Sequence, residues 1–140
     1  MAQTFAAQVD DWVKRSQKRM ERVAKTATLA VIEDAQVPVA KGGRMRVDTG
    51  FLRASGRVSL DGMPSGPSRN TGEIVAGTGD TSPETILTIG KAQIGDTIWF
   101  GWTANYARFR EANDGFLGIA VQKWQQLVDE AVRKVKSQTP

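Results

Sequence analysis

The sequence predicts an α+β domain in which a small antiparallel sheet packs on two long helices. Two observations lead to this fold class. At both ends of the chain, apolar side chains recur every three or four residues, whereas the middle holds short runs of alternating apolar and polar residues. The predicted order of elements is α-α-β-β-α-β-α. With 140 residues, 40% of them hydrophobic, the chain is expected to form one domain spanning residues 1–140.

The longest predicted helix covers the first 36 residues, within an N-terminal helical segment at residues 1–37. Pro38 ends it, because proline disfavours helical geometry at the residue before it. The helix is long enough to project beyond the body on which it packs. Its periodicity places Trp12 in the core. The predicted buried face consists of Phe5, Val9, Trp12, Val13, Met20, Val23, Ala27, Ala30 and Val31.

A basic segment that contains glycine separates this helix from the rest of the chain. Residues 39–47 include Lys41-Gly42-Gly43-Arg44 and show no helix or strand periodicity, which indicates a loop. They are predicted to form a flexible linker to an α+β body at residues 48–140.

The body is predicted to begin with a short helix and a hairpin. Asp48 or Thr49 is expected to cap the helix, because short polar side chains accept hydrogen bonds from its first N–H groups. Alternation in residues 56–62 predicts a strand, and residues 73–77 predict a second one. The loop between them, residues 63–72, is rich in Pro, Gly, Ser and Asn and predicts a long exposed hairpin tip.

Three further elements complete the predicted fold. Ser82-Pro83-Glu84 is typical of a helix start, and this middle helix is expected to stop at Gly95-Asp96. Residues 97–102 alternate most regularly and predict a strand. A second long amphipathic helix is predicted from Phe116 to Ser137, packed on the sheet, and its periodicity places Trp124 in the core.

The composition narrows the function classes. The chain has no histidine and no cysteine, so disulfides, thiolate chemistry, imidazole bases and the usual zinc or iron ligand sets are excluded. No cofactor is predicted, and the composition points away from enzymes. No apolar run is long enough to span a bilayer, and the N-terminus does not resemble a signal peptide. We therefore expect no membrane partner and a protein made in a cytoplasm.

Asp48-Thr49-Gly50 is the tripeptide that carries the catalytic carboxylate of aspartic proteases. Such enzymes hold two carboxylates so close together that they share one proton. Here a basic segment precedes the tripeptide, so neighbouring cations favour an ionised Asp48. An aspartic-protease-like enzyme using Asp48 is a remote alternative. Helix capping by Asp48 or Thr49, with a sharp turn at Gly50, is the favoured interpretation, and Arg53 would then pair with Asp48 or point outward.

Basic residues are concentrated in the first part of the chain. Residues 1–60 hold eleven Lys and Arg against six Asp and Glu, whereas the rest of the chain is nearly neutral. One face of the first helix carries a cationic stripe, which Glu21 interrupts, and which is a candidate surface for DNA or an acidic partner. Nucleic-acid binding is the main alternative function, although no helix-turn-helix or finger motif is present. The stripe consists of Lys14, Arg15, Lys18, Arg19, Arg22 and Lys25.

Several motifs in a fixed order resemble the HK97 gp10-like family of tailed-phage neck and tail-completion proteins. Residues 47–64, VDTGFLRASGRVSLDGMP, are similar to its signature, and a Gly-Thr turn, a Gly-Asp segment and a tyrosine segment follow in the order of the family. Arg108 stands where the family usually has proline, and three residues separate Glu111 from Gly115. The residues that carry the resemblance are Asp48, Thr49, Gly50, Leu52, Arg53, Ser55, Tyr106, Ala107 and Glu111.

The resemblance implies a structural virion protein and not an enzyme. It implies a head–tail joining subunit in the neck of a tailed phage, a prophage or a gene transfer agent, assembled in the cytoplasm of the host bacterium. The expected partners are a connector, adaptor or stopper, the tail terminator and tail tube proteins, and further copies of the chain in a hexameric ring. The basic stripe would then make non-specific contact with DNA passing through the neck. Trp99, out of phase with Ile98 and Phe100, is a candidate interface residue.

Overall fold

The computed structural model describes residues 4–46, 51–66 and 83–138. It confirms the α+β class, because within these ranges a long N-terminal helix and a C-terminal helix pack together beside a two-stranded antiparallel sheet and several short helices. The elements in chain order are α1 (Phe5–Ala35), a 3₁₀ turn (Val39–Lys41), α2 (Phe51–Ala54), β1 (Gly56–Ser59), α3 (Pro83–Lys91), β2 (Trp99–Trp102), α4 (Ala107–Asp114), α5 (Phe116–Gln122) and α6 (Trp124–Gln138).

Helix α1 begins and ends close to the predicted positions. Thr4 caps its N-terminus, since Thr4 Oγ1 accepts a hydrogen bond from the backbone N–H of Ala7 at 3.1 Å. At the other end, the N–H of Gln36 donates to the Ile32 carbonyl at 3.1 Å, and Pro38 follows two residues later.

Helix α6 packs antiparallel along the C-terminal half of α1. Lys123, the residue before α6, places its Nζ 3.1 Å from Asp34 Oδ1 near the end of α1. Lys136, near the end of α6, lines the same groove as Arg19 in the middle of α1. The N-terminal half of α1 therefore extends past the end of α6.

The segment predicted as a linker is, over residues 39–46, built into the fold. Pro38 and Met45 form a parallel bridge, and the N–H of Met45 donates to the Val37 carbonyl at 3.3 Å. A side chain at Gly43 would collide with that carbonyl, so glycine suits this turn. Met45 is fully buried. The sequence pattern missed this core residue because glycines and charges surround it.

The two strands that pair are far apart in the sequence. In the antiparallel pair β1–β2, Gly56 lies opposite Trp102 and Ser59 lies opposite Trp99. Both strands are shorter than predicted. The expected hairpin partner of β1, residues 73–77, and residues 67–72 of its tip lie outside the described residues.

The main core forms where α2, β2 and α5 meet. Trp102 packs edge to face on Phe116, with ring centroids 4.9 Å apart and an interplanar angle of 81°. Burying these aromatic and aliphatic groups is the main stabilising contribution here, because apolar surface leaves water. The buried members are Met45, Phe51, Leu52, Ala104 and Phe116, with Trp102 and Ala107 packed against them.

The C-terminal region forms two helices where one was predicted. The chain makes a tight turn at Lys123, whose N–H donates to the Ala120 carbonyl at 3.1 Å. This break lets α5 bury Phe116 and Ala120, while α6 buries its own apolar face against α1. A straight helix from 116 to 137 would hold a single direction and would not follow both surfaces.

Candidate protein interface

The signature segment closes a junction between α2 and the end of the sheet. Ser55 Oγ donates a 2.7 Å hydrogen bond to the Leu52 carbonyl, and Ser55 and Leu52 are both buried. The Ser55 carbonyl accepts a hydrogen bond from the N–H of Thr103 at 3.2 Å. These contacts satisfy the polar groups of a buried turn and hold α2 against β2.

Arg53 extends this junction to the end of α1. Its Nε donates a 2.8 Å hydrogen bond to the Gln36 carbonyl, whereas we expected it to pair with Asp48 or to point outward. The Gln36 side chain is buried, and its Oε1 accepts a hydrogen bond from Trp102 Nε1 at 3.2 Å. One glutamine thus connects α1, α2 and β2.

The sequence interpretation did not single out Gln36. Its only signal is position, because it follows buried Ile32 by four residues and so lies on the same helical face. Asp48, Thr49 and Gly50 lie outside the described residues. The capping role and the remote carboxylate role of Asp48 therefore stay predictions.

The tyrosine segment is also part of the framework. Tyr106 lies beside Phe51, with ring centroids 6.3 Å apart, and Ala107 packs against the core. Glu111 caps α5, since its Oε2 accepts from the N–H of Leu117 at 2.7 Å and its Oε1 from the N–H of Gly118 at 2.9 Å. A carboxylate at a helix N-terminus is favoured because the first N–H groups lack helical partners.

A cationic pair surrounds the nearly buried carboxylate of Asp114. Arg46 Nε lies 3.4 Å from Asp114 Oδ1, and Arg110 Nη1 lies 3.6 Å from Oδ2. A buried carboxylate is tolerated when cations neutralise it. This contact attaches the segment that carries Met45 to the end of α4. Like the residues of the signature, Asp114 stabilises the framework.

The predicted basic stripe divides into two groups. Lys25 Nζ donates to the Gly90 carbonyl at 2.8 Å, and Lys14 forms an ion pair with Asp10 at 3.1 Å. Glu21 does not interrupt the stripe as expected, because its Oε1 accepts a hydrogen bond from the N–H of Ile94 in the body. Arg19 lines the groove beside α6. The members that remain exposed away from the body are Arg15, Lys18 and Arg22.

An apolar surface runs along α1. Phe5 is 82% exposed and Trp12 is 64% exposed, and the first buried residue of α1 is Ala27. The prediction that Trp12 and Trp124 lie in the core is wrong for the single chain, because α6 covers only the C-terminal half of α1 and Trp124 is 44% exposed. We call the exposed set, Phe5, Val9, Trp12 and Val13, the N-terminal stripe.

The same helix face continues into an open apolar groove between α1 and α6. The groove has a volume of about 720 Å³, a size that in other proteins accommodates a side-chain cluster or a ligand. We call it the α1–α6 groove. Its lining is apolar except at Arg19 and Lys136, and consists otherwise of Met20, Val23, Ala24, Ala27, Trp124, Val128, Val132 and Val135.

Trp99 lies apart from this surface, on the exposed side of the sheet. It is more exposed than Phe100 and Trp102 in the same strand, as its phase predicted. Its role as a contact with a neighbour stays a prediction.

The described ranges contain no helix that is long and apolar enough to cross a membrane. Across these same residues, no cluster of three or more carboxylate, histidine or cysteine side chains is arranged to hold a metal ion. Comparisons with protein-family models, curated proteins and solved structures give no significant match for the chain.

Proposed function

We propose that the chain is a structural subunit of the head–tail interface of a tailed phage, a prophage or a gene transfer agent. The observation that carries the proposal is the apolar surface formed by the N-terminal stripe and the α1–α6 groove. Soluble monomers rarely expose contiguous apolar patches of this kind, and such patches mark interaction sites. An assembly subunit would cover this surface with neighbouring protein.

The motif residues support a role in assembly. Leu52, Arg53 and Ser55 hold α2 to α1 and to the sheet, and Glu111 caps α5. Their polar atoms are used in hydrogen bonds to the backbone, which makes a rigid framework for the surfaces that contact partners. The resemblance of these segments to neck and tail-completion proteins points to the same class of function.

The proposed partners are those of a neck. They are a connector, adaptor or stopper on the head side, the tail terminator and tail tube on the other side, and further copies of the chain in a ring. The exposed cations Arg15, Lys18 and Arg22 would contact the DNA that passes through. The proposed location is the neck of the virion, after assembly in the bacterial host.

The experiment removes the chain from the particle-producing strain and examines the lysate by electron microscopy. We expect filled heads and free tails that fail to join, and restoration of joined particles by the wild-type chain supplied in trans. A Trp12→Glu chain should restore few joined particles, whereas the matched control Lys18→Glu, on the opposite face of α1, should restore them. Normal particles in the absence of the chain would contradict the proposal.

Nucleic-acid binding independent of particles is the second candidate, favoured by the exposed Arg15, Lys18 and Arg22. Phosphate contacts would make the affinity fall steeply with salt. A gel shift titrated with salt tests this, with a variant in which all three cations are replaced by glutamine as the comparison. A shift of equal strength for both proteins, or no shift at low salt, would end this candidate.

A further inference from the structure

The apolar face of α1 is arranged symmetrically about Ser16. From Phe5 to Ala27 its positions are separated by 4, 3, 4, 4, 3 and 4 residues, a pattern that reads the same in both directions. At about 100° per residue, all of these positions lie within about 40° of Ser16 on the helix surface. The positions are Phe5, Val9, Trp12, Ser16, Met20, Val23 and Ala27.

The two halves of this face have different environments in the single chain. Phe5, Val9 and Trp12 are exposed on the projecting half of α1. Met20, Val23 and Ala27 line the α1–α6 groove. The first half is a helix surface without a cover, and the second half is the floor of an open groove. Each half therefore has the shape that the other half lacks.

We propose that α1 pairs antiparallel with α1 of a second copy, about a two-fold axis at Ser16, so that the N-terminal stripe of each copy fills the α1–α6 groove of the other. Because the pattern is symmetric, Phe5 then lies opposite the small Ala27, and Val9 lies opposite Val23. Trp12 lies opposite Met20, a pairing of an aromatic ring with a thioether that is favourable in itself. The pairing holds whatever the larger role of the chain, so its failure would leave the proposed head–tail function untouched.

The stability of the projecting helix supports this occupant over a small ligand. Residues 5–18 extend for about 20 Å at 1.5 Å per residue, and an isolated helix of that length is marginal in water. A small ligand in the groove would leave this half of α1 uncovered. A second copy covers the groove and the projecting half together, through an interface that is the same on both chains.

Charge at the two ends of the interface is complementary. Residues 4–13 contain Asp10 and Asp11 and no basic residue. The cations on the rim of the groove are Arg19 and Lys136. The acidic end of one α1 thus approaches the cationic rim of the partner. The basic stripes near the axis repel each other, so association should be measured at moderate salt, which shortens the Debye length below about 8 Å.

Because the chain has no cysteine, engineered cysteines give a direct test of the axis. Packed helices lie about 8–10 Å apart with Cα atoms about 2.3 Å from each axis, so facing Cα atoms are about 4–5.5 Å apart, within disulfide range. Ser16→Cys should form a disulfide dimer under mild oxidation. Lys18→Cys, about 160° away on the helix surface, is the matched control and should stay monomeric in a reducing-agent-free gel. Absence of the Ser16→Cys dimer, or equal cross-linking of both variants, would overturn the proposal.

A second pair of variants separates the antiparallel pair from a parallel one. Val9→Cys mixed with Val23→Cys should give a cross-linked heterodimer, because these positions face each other only in the antiparallel register. Val9→Cys alone should cross-link far less. A Val9→Cys homodimer without the heterodimer would indicate parallel helices and would contradict the two-fold axis at Ser16.

Sedimentation analysis tests the same surface without a cross-link. The wild-type chain should dimerise, and Trp12→Glu should raise the dissociation constant by roughly a hundredfold or more, since each dimer loses two buried tryptophans. Trp12 is exposed in the single chain, so circular dichroism should show a folded variant. Lys18→Glu should dimerise like wild type. A wild-type chain that stays monomeric up to hundreds of micromolar, or that binds a small molecule in the groove as a monomer, would overturn the proposal.

Discussion

Replacing Glu111 by alanine should destabilise the protein through the loss of the cap on α5. In the structure its carboxylate accepts two backbone hydrogen bonds, at 2.7 Å from Leu117 and at 2.9 Å from Gly118. Loss of a helix cap costs about 0.5–2 kcal/mol, and loss of a charge that complements the helix dipole costs about 0.3–1 kcal/mol. The expected loss in free energy of unfolding is therefore about 1–3 kcal/mol.

Urea denaturation followed by circular dichroism measures this loss at neutral pH. For a chain of this size, 1 kcal/mol corresponds to roughly 3–4 °C, so Tm should fall by about 3–10 °C. Glu111→Gln keeps one acceptor oxygen and should lose about half as much. The matched control is Glu130→Ala, which removes an exposed carboxylate whose partner is Gln126 and should cost less than about 0.5 kcal/mol. Equal losses for the two alanine variants would refute the capping role of Glu111.

Two further predictions concern the junction around the sheet. Gln36→Leu should lower the free energy of unfolding by about 1–3 kcal/mol in urea titrations, because it leaves the Trp102 indole N–H without its acceptor; an unchanged midpoint would refute the role of Gln36. Gly56→Ala should cost about 1–3 kcal/mol, since the new Cβ would lie 2.8 Å from Phe100 Cζ. Gly90→Ala, where the Cβ meets nothing within 4 Å in α3, should be stabilising by about 0.5–1 kcal/mol in the same assay. The reverse order of these two glycine variants would contradict the packing described for Gly56.

The long helix and the fold class could be predicted because their signals are local. The spacing of apolar residues and Pro38 define α1, and the observed helix Phe5–Ala35 differs from the prediction by only a few residues at each end. The alternation in the central segments predicted strands, and β1 and β2 lie within those segments.

The tryptophan error shows what periodicity leaves out. Helical phase identifies the apolar face of α1, but it does not say which protein covers that face. Trp12 and Trp124 lie on apolar faces and are nevertheless exposed in the single chain. The same pattern arises for a core and for an interface between chains.

Other features depend on contacts between distant residues. The partner of the Gln36 side chain, Trp102, is 66 residues away in the sequence, and β1 pairs with a strand about forty residues later. The turn at Lys123 lacks the glycine or proline that usually marks a helix end, and it arises because α5 and α6 pack on different surfaces. No single segment contains these signals.

Imaging of isolated particles by electron cryomicroscopy tests the assembly role most directly. At 31 residues, α1 is a rod about 46 Å long that such a map resolves readily. We predict a ring of this chain between head and tail, with the face of α1 that carries Trp12 covered by neighbouring protein. Particles that lack the chain, or a bound chain whose Trp12 face is open to solvent, would contradict this account.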